Sequence, residues 1–265
     1  MRLSKVLLYG FVALVLIWLV VPILIVVPMS FSGARFLSFP PPSWSLRWYD
    51  SYLGNAAWMQ ATRVSLIVAV ASAAVATVLG TAAAYALNLT RSKLLRGLQV
   101  VLLLPLVVPI VITAVGIFLV YANVGLLATM TGLILANVML GLPYVVTSVL
   151  VSLRKFDPAQ EMAALSLGMN RFRTFFAVTL PQIRSGVISG LLFAFISALD
   201  ETVVALFVSG GQYQTLTKRM FTSLRDEIDP TIAAISTLLT AVSLVILLLA
   251  SLSARNAERR GAAAG

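Results

Sequence analysis

The chain has no cysteine and no histidine, and only 11% of its 265 residues are charged. Without thiols or imidazoles it forms no disulfides, performs no thiol chemistry and lacks the ligands of the usual transition-metal sites. A glycine-rich phosphate loop followed by Lys-Ser/Thr is also missing, and Gly210-Gly211 lacks that context and reads as a turn. Energy for any transport must therefore come from another subunit or an ion gradient. Acidic residues are scarce too, nine against nineteen basic, for a net charge of +10 and a pI near 10.5. That excess would suit nucleic acid, but no basic cluster sits on a soluble region large enough to present it, so no nucleic-acid partner is expected.

What the chain has in abundance is apolar length: 60% of its residues are hydrophobic and its mean hydropathy is +1.01. Crossing ~30 Å of hydrocarbon takes ~20 apolar residues in a helix. Six such stretches, 6–28, 64–87, 98–121, 126–153, 186–208 and 232–252, predict an all-α polytopic membrane protein forming one transmembrane domain over 1–265. The first is too long for a signal-peptide core and is read as a retained helix. Thirteen of the nineteen Lys and Arg residues fall at the N-terminus, in the second-to-third and fourth-to-fifth links (Arg91 among them) and in the tail. An excess of Lys and Arg marks the cytoplasmic side, so both termini are expected there.

The loops then acquire sides. The outer segment 30–62 carries Pro40-Pro41-Pro42 and then Trp44, Trp48, Tyr49, Tyr52 and Trp58, rings suited to anchoring at the membrane interface or to stacking on a cationic ligand. Link 122–125 is a tight turn. Link 209–231 is long and charged, with Lys218, Arg219, Arg225, Asp226, Glu227 and Asp229, and forms either a rim for an extracytoplasmic partner or a solvated loop.

Two adjacent acids, Asp200 and Glu201, sit inside the fifth apolar stretch, about 20 Å from its inner end at ~1.5 Å per residue. A carboxylate at full membrane depth costs at least ~2.5 kcal/mol, so these two need water, a cation or a bundle interior. Ser197 lies three and four positions before them and can share a polar face. Asp200 is expected toward a pathway and Glu201 toward a helix partner, with the roles reversible. One reading pairs the acids with Lys or Arg of a neighbouring subunit; the other has them attract a cationic substrate. Asn137, Thr113, Pro105, Pro109 and Pro143 are further pathway candidates, whereas Ala69, Ala73, Ala76 and Gly80 suggest close helix packing.

The fourth-to-fifth link is too structured for a solvated connector. Asp157-Pro158 gives a cap and a first-turn residue, and Ala159 to Phe172 favours helix until Gly168 and Asn170 loosen it. The small side chains of Ala163 and Ala164 suit close seating in a groove, Gly168 permits a turn, and Leu180-Pro181 marks entry into the fifth span. Together, Ala163-Ala164, Gly168 and Val178-Thr179-Leu180-Pro181 resemble the signature loop of bacterial ABC-importer permeases. Ser45-Leu46-Arg47-Trp48-Tyr49, Ser197-Ala198-Leu199-Asp200-Glu201 and 209–235 are similar to the second permease subunit of spermidine/putrescine-type importers.

The resemblance implies a type I ABC importer permease fold of six transmembrane helices. Residues 157–173 would then be a cytoplasmic coupling helix, with Glu161, Met162, Ala163, Ala164, Gly168, Leu180 and Pro181 serving ATPase coupling. Where the family has Glu directly before the two Ala, this chain has Met162, with Glu161 one position earlier and turned by ~100° on a helix. The implied partners are a second permease subunit, two ATPase subunits, an extracytoplasmic solute-binding protein, membrane lipid and a small-molecule substrate. ATP and Mg would belong to the ATPase, leaving this chain with no cofactor and no catalytic residue. The implied location is the bacterial inner membrane and the implied solute a polyamine, with opines and amino-acid-like compounds as alternatives. An ion-coupled secondary transporter using the intramembrane acids is the rival that leaves the inner loop unexplained.

Overall fold

The computed structural model describes residues 2–89, 92–226 and 228–262, so Arg91 and Glu227 lie outside the described residues. Among the described residues the regular structure is helical. In chain order, α1 (Arg2–Ser30), α2 (Arg47–Gly54), α3 (Ala56–Leu89) and α4 (Lys93–Leu103) are followed by α5 (Ile110–Val124) and α6 (Met130–Leu153). After these come α7 (Ala159–Ser166), α8 (Arg171–Thr174), α9 (Leu180–Asp200), α10 (Val203–Val208), α11 (Leu216–Asp226) and α12 (Thr231–Ala262).

Against the six spans expected, four continuous helical stretches among the described residues are long and apolar enough to cross a bilayer: Leu7–Ser30, Ala56–Leu89, Met130–Leu153 and Arg171–Asp200. The third expected span is not one rod. It breaks into Gly97–Leu106 and Ile110–Val124, bent by 105°. Pro105 sits in a 3₁₀ turn, Leu104–Leu106, and Pro109 caps α5; neither nitrogen can donate to a helix ladder. In α12 the apolar stretch among the described side chains is Thr231–Ile246, within the helix expected to carry the sixth span. The fourth span starts at Met130 rather than 126, because Gly125 turns at φ +71° and the Thr129 hydroxyl caps α6 by accepting from the Gly132 amide at 3.0 Å.

Two compact units divide the chain, Met1–Met59 with Arg219–Val245, and Gln60–Lys218 with Ile246–Gly265. In the first, the loop after α1 is held by a Ser30–Tyr49 hydroxyl bond of 2.7 Å and by Phe31 against Tyr49. Its aromatic residues depart from a simple interfacial belt. Trp44 is exposed, but Trp58 is buried beneath the Arg219 guanidinium, 4.7 Å from the ring centre, and the Arg47 guanidinium stands 4.6 Å over Trp48. Cations of the chain itself occupy these ring faces.

The second unit is built on close helix contacts. Gly186, Gly190, Ala194 and Ala198 recur every fourth residue on α9 and are all buried. A Cβ added at Gly190 would lie 2.9 Å from the Val145 Cα, and one at Gly80 would lie 2.7 Å from the Val145 Cβ. Val145 of α6 is therefore gripped by a glycine of α9 and a glycine of α3. Lipid tails are as apolar as these side chains, so close backbone approach supplies the association through dispersion. Ala69, Ala73 and Ala76 are fully buried, as small residues facing a neighbouring helix should be.

Candidate functional site

Helix α9 ends at Asp200, Glu201 takes an extended conformation, and α10 restarts at Val203. The acids therefore sit at a helix break rather than inside a continuous span. Glu201 is 8% exposed and turns its carboxylate back onto the first turn of α10. Its two oxygens accept from the Val204 amide at 2.6 Å and the Ala205 amide at 2.8 Å, while the Thr217 hydroxyl donates to its backbone carbonyl at 2.7 Å. A negative charge beside the unpaired amides of a helix start is stabilised by their partial positive charge. Glu201 is thus satisfied inside its own fold.

Asp200 is exposed and lines a cavity of about 520 Å³ with Pro105, Leu140, Tyr144, Phe193 and Ser197. The break between α4 and α5 and the break between α9 and α10 border this same cavity, which places irregular backbone where a polar space can receive it. Asn137 does not line it. That residue is buried, with its side-chain amide donating to the Leu133 carbonyl at 2.9 Å and its oxygen left unpartnered. Thr113 borders a separate, apolar cavity of about 750 Å³.

Sequence reading missed the continuation of this groove. Ser185, Ser189, Phe193, Ser197 and Asp200 share one stripe of α9, and Tyr144, Thr147, Ser148 and Val151 run beside them on α6. The spacing of four between Ser185, Ser189, Phe193 and Ser197 was the available signal. A second, hydroxyl-rich cavity of about 330 Å³ lies along this seam, toward the start of α9.

At the C-terminal end of α10, the Lys218 ammonium donates to the carbonyls of Leu206, at 3.2 Å, and Ser209. Burial pushes its pKa down. Lys218 therefore joins the long link to the end of α10.

At the other end of the unit lies the α7 loop. Asp157 accepts from the Ala159 amide at 2.9 Å and starts α7. The helix stops after Ser166, just ahead of Gly168, where the sequence places the break. The Met169 amide bonds back to the Ala164 carbonyl at 3.1 Å, and Gly168 takes φ +87°, a conformation that glycine adopts without strain. Asn170 caps α8 by accepting from the Arg173 amide at 2.8 Å, and Phe175–Thr179 form a π-helical turn leading into Leu180 and Pro181 at the start of α9.

The two small residues face differently. Ala164 is 7% exposed, buried against its own chain, whereas Ala163 stands exposed beside Met162, which is 62% exposed. Successive positions on a helix differ by ~100°, so the pair cannot seat together in one external groove. Glu161 faces inward. Its Oε1 accepts from the Tyr85 hydroxyl at 3.1 Å and from the Thr179 hydroxyl.

Comparison with known proteins fits this architecture. Residues 76–261 match the model of the family described as binding-protein-dependent transport system inner membrane component. The putrescine transport system permease protein PotI of Escherichia coli K12 is 36% identical over 255 residues, covering 92% of this chain and 89% of that protein. The spermidine/putrescine transport system permease protein PotC of Haemophilus influenzae is 31% identical over 247 residues, covering 93% and 95%. Among solved structures, a bacterial ABC transporter that imports the acidic polysaccharide alginate has a chain superposing with a TM-score of 0.71 at 14% identity, covering 95% of this chain and 96% of that one. A bacterial alginate ABC transporter in complex with alginate pentasaccharide-bound periplasmic protein gives 0.71 at 15% identity, covering 96% of this chain and 95% of that one.

Proposed function

The chain belongs to the family of binding-protein-dependent transport system inner membrane components, and we propose that within it the chain is a permease subunit of an ATP-driven polyamine importer. The observation that carries the solute class is the Asp200 carboxylate, open to a cavity that also offers Tyr144, Phe193 and Leu140. A diamine is a methylene chain with an ammonium at each end. A free carboxylate draws the cationic end into the membrane, where a bare ammonium would be costly, and the rings accompany the apolar middle. The names of PotI and PotC support this solute. The hydroxyl stripe along α6 and α9 then offers successive weak partners toward the α7 end.

Energy enters through α7. Met162, Ala163, Ser166 and Leu167 are exposed on it or beside it and form the surface for an ATPase subunit, with Met162 giving an apolar contact where the family pattern has a carboxylate. Two ATPase copies carrying ATP and Mg, a second permease, a solute-binding protein and cytoplasmic termini complete the proposal. Closure of the ATPases displaces α7, and the helices around the Asp200 cavity exchange inward for outward opening. In the purified complex, putrescine-loaded binding protein should raise ATP hydrolysis above the basal rate. If the loaded protein leaves hydrolysis unchanged, while an opine-loaded or amino-acid-loaded one raises it, the polyamine assignment falls.

A further inference from the structure

The carboxylate of Glu161 belongs to the coupling loop yet points away from its exposed face. Its two hydroxyl donors come from different places: Tyr85 lies near the end of α3, and Thr179 closes the π-helical turn before α9. The Tyr85 ring also packs 4.8 Å from that of Phe175, the first residue of the same turn. Beside this junction lies an apolar cavity of about 660 Å³, lined by Thr81, Tyr85, Phe172, Phe175, Leu180 and Val187. The cavity borders α3 on one side and the α8–α9 base on the other. Deeper in the unit, Ala84 of α3 and Ile183 of α9 share a packed apolar core, and the Glu161 junction adds the hydrogen-bonded link by which α7 itself holds α3 and the π-helical turn. A π-helical turn carries one residue more than the regular repeat, so it is a place where a helix can rewind without breaking.

Resting on the permease reading, we propose that Glu161 is a positioning residue that ties α7 to α3 and to the π-helical turn, so that one displacement of α7 moves both spans. In this arrangement the outward face of α7 receives the ATPase and the inward carboxylate passes the movement on. Gln160, hydrogen-bonded to Gln182 on α9, supplies a neighbouring strap on the exposed side but reaches only one of the two spans.

The test removes the donors and leaves the α7 loop untouched. The complete complex carrying Tyr85→Phe with Thr179→Val is reconstituted in proteoliposomes, and ATPase recovery, ATP hydrolysis and solute moved per ATP are measured. The expected result is normal ATPase recovery and continued hydrolysis, with a several-fold loss of solute moved per ATP. Thr179→Ser, which keeps the hydroxyl, should restore the ratio in the Tyr85→Phe background toward that of Tyr85→Phe alone. An unchanged ratio in the double variant overturns the proposal, as does loss of the ATPase, which would put the junction in the docking surface. A wild-type chain that retains no ATPase overturns the permease reading itself, and this is visible before any variant is compared.

Discussion

Asp200 and Glu201 are neighbours in sequence with opposite surroundings: the Glu201 carboxylate holds the Val204 and Ala205 amides at 2.6 and 2.8 Å, while Asp200 opens onto a cavity of about 520 Å³. The end of α9 produces this split. Once the chain leaves the helix at Glu201, the next carboxylate is carried around to the start of α10. One acid builds the break and the other stays open to the cavity proposed to take the solute.

Neutralising each acid should therefore give different phenotypes. Glu201→Gln weakens two charge-assisted hydrogen bonds and should lower thermal stability of the complex, by about 1–3 kcal/mol. Asp200→Asn should leave stability within about 0.5 kcal/mol and reduce putrescine uptake. Melting curves and initial uptake rates on the same preparations check both; if Asp200→Asn dissociates the complex, Asp200 is a subunit contact.

At Gly168 the constraint is conformational, since nothing lies within 4 Å of an added Cβ and φ is +87°. Gly168→Gln places a side chain in the left-handed region at a cost of roughly 1–2 kcal/mol and should reduce uptake per ATP without impairing membrane insertion. Asparagine tolerates that region better, so Gly168→Asn should transport more than Gly168→Gln. Equal, normal transport by both variants would remove the turn from coupling.

The α6–α9 seam offers a packing test. Gly190→Ala drives a methyl to 2.9 Å from the Val145 Cα and should destabilise the protein by about 1–3 kcal/mol. Gly97→Ala, with nothing within 4 Å, should be neutral or slightly stabilising. Detergent melting temperatures report the difference.

Much of this was legible because apolar length and small-residue spacing are local properties. The 24-residue α6, the buried Ala69, Ala73 and Ala76, and the Gly168 turn can be read along one segment. The loss of helix at Glu201 was not, because Asp200-Glu201 is flanked by helix-compatible residues and its capping partner is the helix that follows. The inward turn of Glu161 depends on Tyr85, 76 positions away, and on a π-helical turn that no short motif announces. Asn137 misled for the converse reason: a polar residue in an apolar helix satisfied part of its hydrogen bonding with its own Leu133 carbonyl and stayed in the core.

Topology follows from the asymmetry of basic residues. Single cysteines introduced at Ser92 and at Gln212, both exposed in a chain that has none of its own, should react with membrane-impermeant reagents from opposite sides. Reaction of both from one side would contradict the orientation.

The most direct test of the whole account is putrescine uptake into proteoliposomes holding the chain with its second permease, with and without the ATPase subunits, while binding protein is supplied outside. The account predicts uptake that requires the ATPase and ATP inside the vesicle and is unaffected by an imposed proton or sodium gradient. Gradient-driven uptake by the permeases alone would contradict it and make Asp200 an ion-coupling site.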